Sequence, residues 1–337
     1  MNWDFTDKTI AVIGDHNLDI DYVGSYPGLM SREHESLAVF ESSPENVRYS
    51  GGGAANIVEM LADVGTIVLP AGAWDLSVCL QSKALWEIFV SRDKIRTRYM
   101  AEGLSTPAFI KYYRQSGGHI FRANIASEPM TEEVEGSLIE KIQKLERIAD
   151  LVIVADYDET GNGVITMPVR EAIRKHLSCP KIGLSRERAD KLYDYDYLIL
   201  NQTEIRKATL GRWIDGIKQY SVDLWGLVRP KNLIITLEGE GAVLYQEGGM
   251  HGCFPKLHEN IIESVPLTGQ IDTCGCGDAF VALFAACIAR GDDIEQAIRA
   301  GNAAGRAQAR KLCGAHNITI GEVKREWRKL YQLTDTL

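Results

Sequence analysis

From Leu151 onward the chain alternates short, wholly apolar runs with amphipathic helical stretches, and this alternation restricts the fold more than any other feature. Leu151–Ala155, Tyr197–Leu200 and Leu233–Leu237 read as strands, with a helix around Val169–Leu177 between the first two. Strands that are apolar throughout, rather than at every second position, are covered on both faces. Strands joined through helices lie parallel, so the expectation is an α/β fold: a central, mostly parallel sheet with helices on both faces. Thr9–Ile13 is a further run of this kind. It stops at Gly14 and so delivers Asp15–Asp19 to the carboxyl end of a strand, where ligands bind in open parallel sheets.

Ala54–Val64 reads as a helix ended by Gly65, and Val134, Leu138, Ile142, Leu145 and Ile148 mark one helical face within Thr131–Ala149. Asp292–Glu295 has capping-box spacing ahead of a helix that runs through Arg310. Residues 33–49 alternate loosely. With Ala108–Tyr113 and His119–Ala123, joined by the turn residues Ser116-Gly117-Gly118, they predict a small hairpin-containing sheet outside the main fold. A length of 337 residues fits two domains or one large α/β domain with such an appendage.

A composition of 45% hydrophobic and 25% charged residues can bury a sizeable core. The formal charge of −9 argues against nucleic-acid and anionic-membrane partners, which select a basic face. Met1–Lys8 is polar, and no apolar run approaches the roughly 18 residues of a membrane span. A cytoplasmic protein is expected. Seven cysteines scattered over the chain do not form a disulfide pattern, and Cys274 and Cys276 lack the second pair that a zinc site needs.

Ile271-Asp272-Thr273-Cys274-Gly275-Cys276-Gly277-Asp278-Ala279-Phe280 carries the chemistry. Residues Ala279–Arg290 are apolar and alanine-rich, so Gly275–Asp278 should form the first turn of a helix, where backbone N–H groups lack intrahelical partners and bind anions. Glycine lets a phosphate approach bare backbone, and Asp278 stands beside it as a candidate general base. A plain helix start with an N-terminal carboxylate fits the same residues.

That stretch resembles the Asp-Thr-x-Gly-Ala-Gly-Asp signature of the ribokinase-like (PfkB) carbohydrate kinases, with Cys276 at the usual alanine. Gly14-Asp15-His16-Asn17-Leu18-Asp19 and Gly51-Gly52-Gly53-Ala54-Ala55-Asn56 are similar to the family's sugar-binding segments. Asn201-Gln202-Thr203-Glu204 is similar to its Asn-x-x-Glu, and Thr236-Leu237-Glu238-Gly239-Glu240-Gly241 to its Thr-x-x-Gly-x-Gly. The likeness spans about residues 8–325 and is strongest to kinases that phosphorylate the anomeric hydroxyl of a heptose 7-phosphate. Ala155-Asp156-Tyr157 and Asn302-Ala303-Ala304 add to it. Two segments depart from that pattern: Asp-Tyr-x-Lys-Gly reads Asp156-Tyr157-Asp158-Glu159-Thr160-Gly161-Asn162-Gly163, and Asp-Pro-Lys reads Gly183-Leu184-Ser185, so two lysines are missing.

The resemblance implies one ribokinase-like kinase domain over residues 1–337, with a β-sheet lid from about 20–49 and 106–125 that covers the sugar and offers a homodimer surface. It implies Asp278 as base, with Gly275, Cys276 and Gly277 giving backbone N–H groups to the transferring phosphoryl. Asp15, Asn17, Asp19, Gly52, Gly53 and Asn56 would hold the sugar, and Lys111 or Arg122 a second phosphate on it. Asn201, Thr236, Gly239, Gly241 and Asn302 would border ATP, and Glu204 would organise Mg²⁺ through water. A monovalent cation is a further candidate ion. An acidic chain still binds ATP through local donors, a few cations and Mg²⁺. Two other readings use the same motifs: a kinase of another sugar phosphate or a nucleoside, and a noncatalytic sugar- or nucleotide-binding regulator.

Overall fold

The computed structural model describes residues 1–25, 31, 39–116, 118–126, 128–209, 217–251, 254–269, 271–311 and 318–331. In chain order the elements are β1 (Thr9–Gly14), β2 (His16–Ser25), β3 (Glu41–Gly53), α1 (Ala54–Asp63), β4 (Ile67–Trp74), α2 (Leu80–Val90), β5 (Tyr99–Glu102), β6 (Ala108–Arg114) and β7 (His119–Ile125). Then follow α3 (Glu132–Leu145), β8 (Leu151–Asp156), α4 (Met167–His176), β9 (Lys181–Ser185), β10 (Tyr197–Asn201), α5 (Gln202–Ala208), α6 (Ile217–Val228), β11 (Asn232–Thr236), β12 (Gly241–His251), β13 (Phe254–Glu263), α7 (Cys276–Arg290), α8 (Ile294–Ala309) and α9 (Ile320–Tyr331).

Nine strands form the main sheet in the order β13-β12-β11-β10-β9-β8-β1-β4-β5. The strands from β11 through β5 pair parallel, while β12 and β13 add an antiparallel hairpin at one edge. The parallel strands are buried on both faces, as their unbroken apolar runs require. One face packs on α1, α2, α7, α8 and α9 through Ile57, Phe89, Phe284 and Trp327. The other packs on α3, α4, α5 and α6 through Leu138, Ile173, Ile205 and Leu224. The helix predicted at Asp292–Glu295 is capped one residue later than its spacing suggests, by the Asp293 carboxylate accepting from Glu295 and Gln296 N–H.

A second sheet stands apart, in the order β3-β2-β6-β7. Its register sets Asp19, Asp21, Phe109, Lys111, Arg122 and Asn124 on one face and Ile20, Tyr22, Tyr112 and Phe121 on the other. The part of the predicted lid at residues 26–30 and 32–38, and the turn residue Gly117, lie outside the described residues. No helix among the described residues is long and apolar enough to cross a membrane.

Candidate active site

Asp278 lies in the first turn of α7, whose N-cap Gly275 adopts φ 74°. That left-handed conformation favours glycine and turns the chain sharply from the Asp272–Cys274 loop into the helix. The Asp278 carboxylate is gripped from two sides. Asn56 Nδ2, on α1, donates to its Oδ2 at 2.6 Å, and the Tyr157 hydroxyl, just beyond β8, donates to its Oδ1. Burial pushes the carboxyl above the ordinary aspartate range, while Tyr157, Asn56 and the nearby Arg186 guanidinium pull it back. Cys276 donates its N–H to Thr273 O at 3.3 Å, so its place among the anion-binding donors is corrected. Its thiol, pushed up to about 12 chiefly by burial, is a neutral group turned to Asp272 O at 3.6 Å.

A hollow lined by Asp15, Asn17, Phe109, Asn124, Tyr157 and Gly163, among others, adjoins this carboxylate through Tyr157. Asn17 Oδ1 and Asn56 Oδ1 are buried and have no hydrogen-bond partner among the described residues. Buried acceptors of this kind call for donors from a ligand. Asp19 faces Gly52 so closely that a Cβ there would fall 2.3 Å from its Oδ1, and only glycine leaves that carboxylate in place.

Lys111 is buried, ion-paired with Asp19, and 3.6 Å from Cys274 Sγ. Its charge is matched inside the site, which corrects its reading as a phosphate anchor. Arg122 stacks on Phe109 with its guanidinium carbon 4.1 Å from the ring centroid and donates Nε to Asn124 at 2.7 Å. Its second terminal nitrogen is buried without a partner among the described residues.

Asp15 lines the hollow and also has a structural part. Both its oxygens accept backbone N–H groups, from Tyr157 at 2.9 Å, Asp158 at 3.1 Å and Val164 at 2.8 Å, so its side chain shapes the 157–164 loop. Burial and the neighbouring Asp156 push its carboxyl up to about 7. That loop carries Tyr157, which the sequence offered only as part of a motif. Close by, Arg186 lies over the Tyr157 ring, 4.8 Å from its centroid, and Arg188 binds Asp156 at 2.6 Å and Asp158 at 3.3 Å. Arg186, directly after Ser185, was the signal available in the sequence.

On the other side of Asp278, Asn201 and Glu204 form a capping box on α5. Asn201 Oδ1 accepts from Thr203 and Glu204 N–H, and Glu204 Oε2 accepts from Asn201 N–H. The Asn201 carbonyl is thereby used as a cap, a correction to its reading as a nucleotide contact. Glu204 retains one oxygen, and burial raises its carboxyl pKa against the pull of Asn201 and Arg186. Thr236 ends β11 with its hydroxyl 3.4 Å from Leu200 O, and Gly239 packs on Pro266. Gly241 has φ 113°, and a Cβ there would meet Ile262 O at 2.2 Å. Asn302 is corrected as well: its amide donates to Ile262 O at 3.2 Å and Tyr331 OH at 3.1 Å, tying α8 to β13 and α9.

Residues 179–318, which include the α7 turn and Asp278, match the pattern of the pfkB family carbohydrate kinases. That segment resembles a pfkB-family carbohydrate kinase. The chain is 26% identical over 339 residues to the bifunctional protein HldE of Bradyrhizobium diazoefficiens, a match covering 95% of this chain and 63% of that protein. It thus spans less than two thirds of that relative's length. Escherichia coli phosphofructokinase-2, solved with substrates and products, superposes with a TM-score of 0.73 at 16% identity over 96% of this chain and 99% of that one. Arabidopsis thaliana ribokinase, solved with ribose and ATP, gives 0.67 at 19% identity over 95% and 99%. The fold of this chain is therefore ribokinase-like, with the small sheet as its second sheet.

Proposed function

We propose that the protein is an ATP-dependent kinase that phosphorylates a hydroxyl of a sugar or sugar phosphate, and that its acceptor is a heptose 7-phosphate, taken at the anomeric position. The observation that carries the reading is Asp278: a half-buried carboxylate in the first turn of α7, aligned by Asn56 and by Tyr157, which lines the hollow. The heptose assignment draws support from the N-terminal motifs and from the similarity to the HldE protein.

In this reading Asn17, Asp19 and Asn56 bind acceptor hydroxyls and set one of them against Asp278, which takes its proton as the new P–O bond forms. The N–H groups of Gly275 and Gly277 lie at the positive end of α7 and stabilise charge on the phosphoryl oxygens. Arg122, with an unpartnered nitrogen, takes the distal phosphate of the acceptor. The remaining oxygen of Glu204 fits an outer position around Mg²⁺, which keeps much of its water. When bound, that ion neutralises the β- and γ-phosphate charges. Thr236, Gly239 and Gly241 border the nucleotide. The apolar face of the small sheet, where Phe121 is 57% exposed and Tyr22 stacks on Tyr112 at 5.2 Å, suits a homodimer contact.

The test is turnover with Mg·ATP across heptose 7-phosphate, unphosphorylated heptose, hexose phosphates and nucleosides. Fastest turnover of heptose 7-phosphate, with the product phosphorylated at the anomeric carbon, is expected. Preference for another acceptor overturns the heptose assignment, and no turnover of any acceptor overturns the kinase reading.

A further inference from the structure

Arg186 follows the carboxyl end of β9 and is held by two residues that line the acceptor hollow: its guanidinium carbon lies 4.8 Å from the centroid of the Tyr157 ring, whose hydroxyl donates to Asp278, and it donates to Glu159 Oε1 at 2.7 Å. Burial raises the pKa of both Asp278 and Glu204, and the charge of Arg186 opposes that rise at each. Its neighbours differ. Arg188 is locked by the fully buried Asp156 carboxylate, whereas Glu159, the partner of Arg186, has a side chain 42% exposed. A half-exposed ion pair of this kind is weak and readily exchanged for a better anion.

We propose that Arg186 is the binding site for the γ-phosphoryl group of the nucleotide, and that Glu159 occupies its guanidinium until that group arrives. This rests on the kinase reading and names the side chain that contacts the transferred group. The Tyr157 ring is the platform: it supports the guanidinium beside the wall of the hollow through a cation–π contact. A fork so held presents two parallel N–H donors to phosphoryl oxygens, a geometry that a lysine cannot supply. Glu159 is a competitor for the same donors and leaves without any covalent change.

Calorimetric titration of the full chain with Mg²⁺ and either a non-hydrolysable ATP analogue or ADP separates the outcomes. Arg186→Gln is expected to weaken the analogue about tenfold or more while changing ADP affinity less than about twofold, because only the analogue carries a γ-phosphoryl group. Glu159→Gln is expected to tighten the analogue about two- to fivefold by removing the competitor. Unaltered ADP affinity shows that the variants remain folded. Equal weakening of both nucleotides by Arg186→Gln, no weakening of either, or weaker analogue binding by Glu159→Gln overturns the inference. Wild-type protein that binds neither nucleotide overturns both this inference and the kinase reading. Selective loss of the analogue in Arg186→Gln, with wild type turning over a nucleoside but no sugar, supports the phosphoryl site and overturns only the acceptor assignment.

Discussion

The hydroxyl of Tyr157 donates to one carboxylate oxygen of Asp278, joining two residues 121 positions apart. The other oxygen takes the Asn56 amide from 222 positions away. The end of β8, the start of α1 and the start of α7 are therefore fastened at one carboxylate. Two opposed effects act on it: burial disfavours its charge, and both donors favour it. Tyr157 itself is held neutral, its pKa raised well above the phenol range by burial and by Asp278, so it serves as a donor.

Asp278→Asn should keep the fold and nucleotide affinity while lowering kcat by at least about 10²-fold, because it removes a base and retains size and polarity. Steady-state kinetics beside calorimetric nucleotide binding checks this. A kcat near wild type would contradict the role of base.

Activity should rise with pH as Asp278 loses its proton, with the acid limb above that of an ordinary aspartate. Tyr157→Phe deletes a donor that favours the charged form, so the folded-state pKa rises and the limb should move up by about one pH unit. The plateau should fall less than about tenfold. A pH–rate profile in which the limb stays fixed or moves down would refute the assignment.

Arg122→Gln should weaken phosphorylated acceptors by roughly 1.5–3 kcal/mol, the scale of a charged hydrogen bond, and leave unphosphorylated sugars almost unchanged. Lys111→Met is expected to behave otherwise. It leaves Asp19 buried without its cation, at a cost of about 3–5 kcal/mol in stability, and should impair both acceptor classes alike. Comparison of kcat/KM for a sugar and its phosphate, together with denaturant unfolding, distinguishes the two cations.

Asp15→Ala removes the acceptor for three backbone N–H groups and should destabilise the protein by roughly 2–4 kcal/mol. Amide hydrogen exchange should quicken across residues 157–164, and kcat should fall because Tyr157 is released from Asp278. Unchanged exchange in that loop would show that Asp15 does not shape it.

Short-range features of the sequence were sufficient for the layered architecture and for Asp278. Apolar runs such as Leu151–Ala155 mark strands covered on both faces, and two glycines before an apolar helix mark an anion-binding turn. These are local signals, set by spacing within a single element. The alternation of Asp19, Ile20, Asp21 and Tyr22 was a readable sign of the ten-residue β2 as well, since it separates a polar from an apolar face.

Tertiary structure alone decided how the polar side chains are used. Asp15 and Asp19 sit four residues apart in one motif, yet Asp15 accepts N–H groups from a distant loop while Asp19 faces Gly52 and pairs with Lys111. Asn302, placed beside a nucleotide by motif, ties three elements together through its amide. Sequence by itself determined which residues could form hydrogen bonds and ion pairs. Which partner each one found depended on packing that joins segments more than a hundred residues apart, because burial makes an unmatched polar group costly and leaves the folded chain to supply its match.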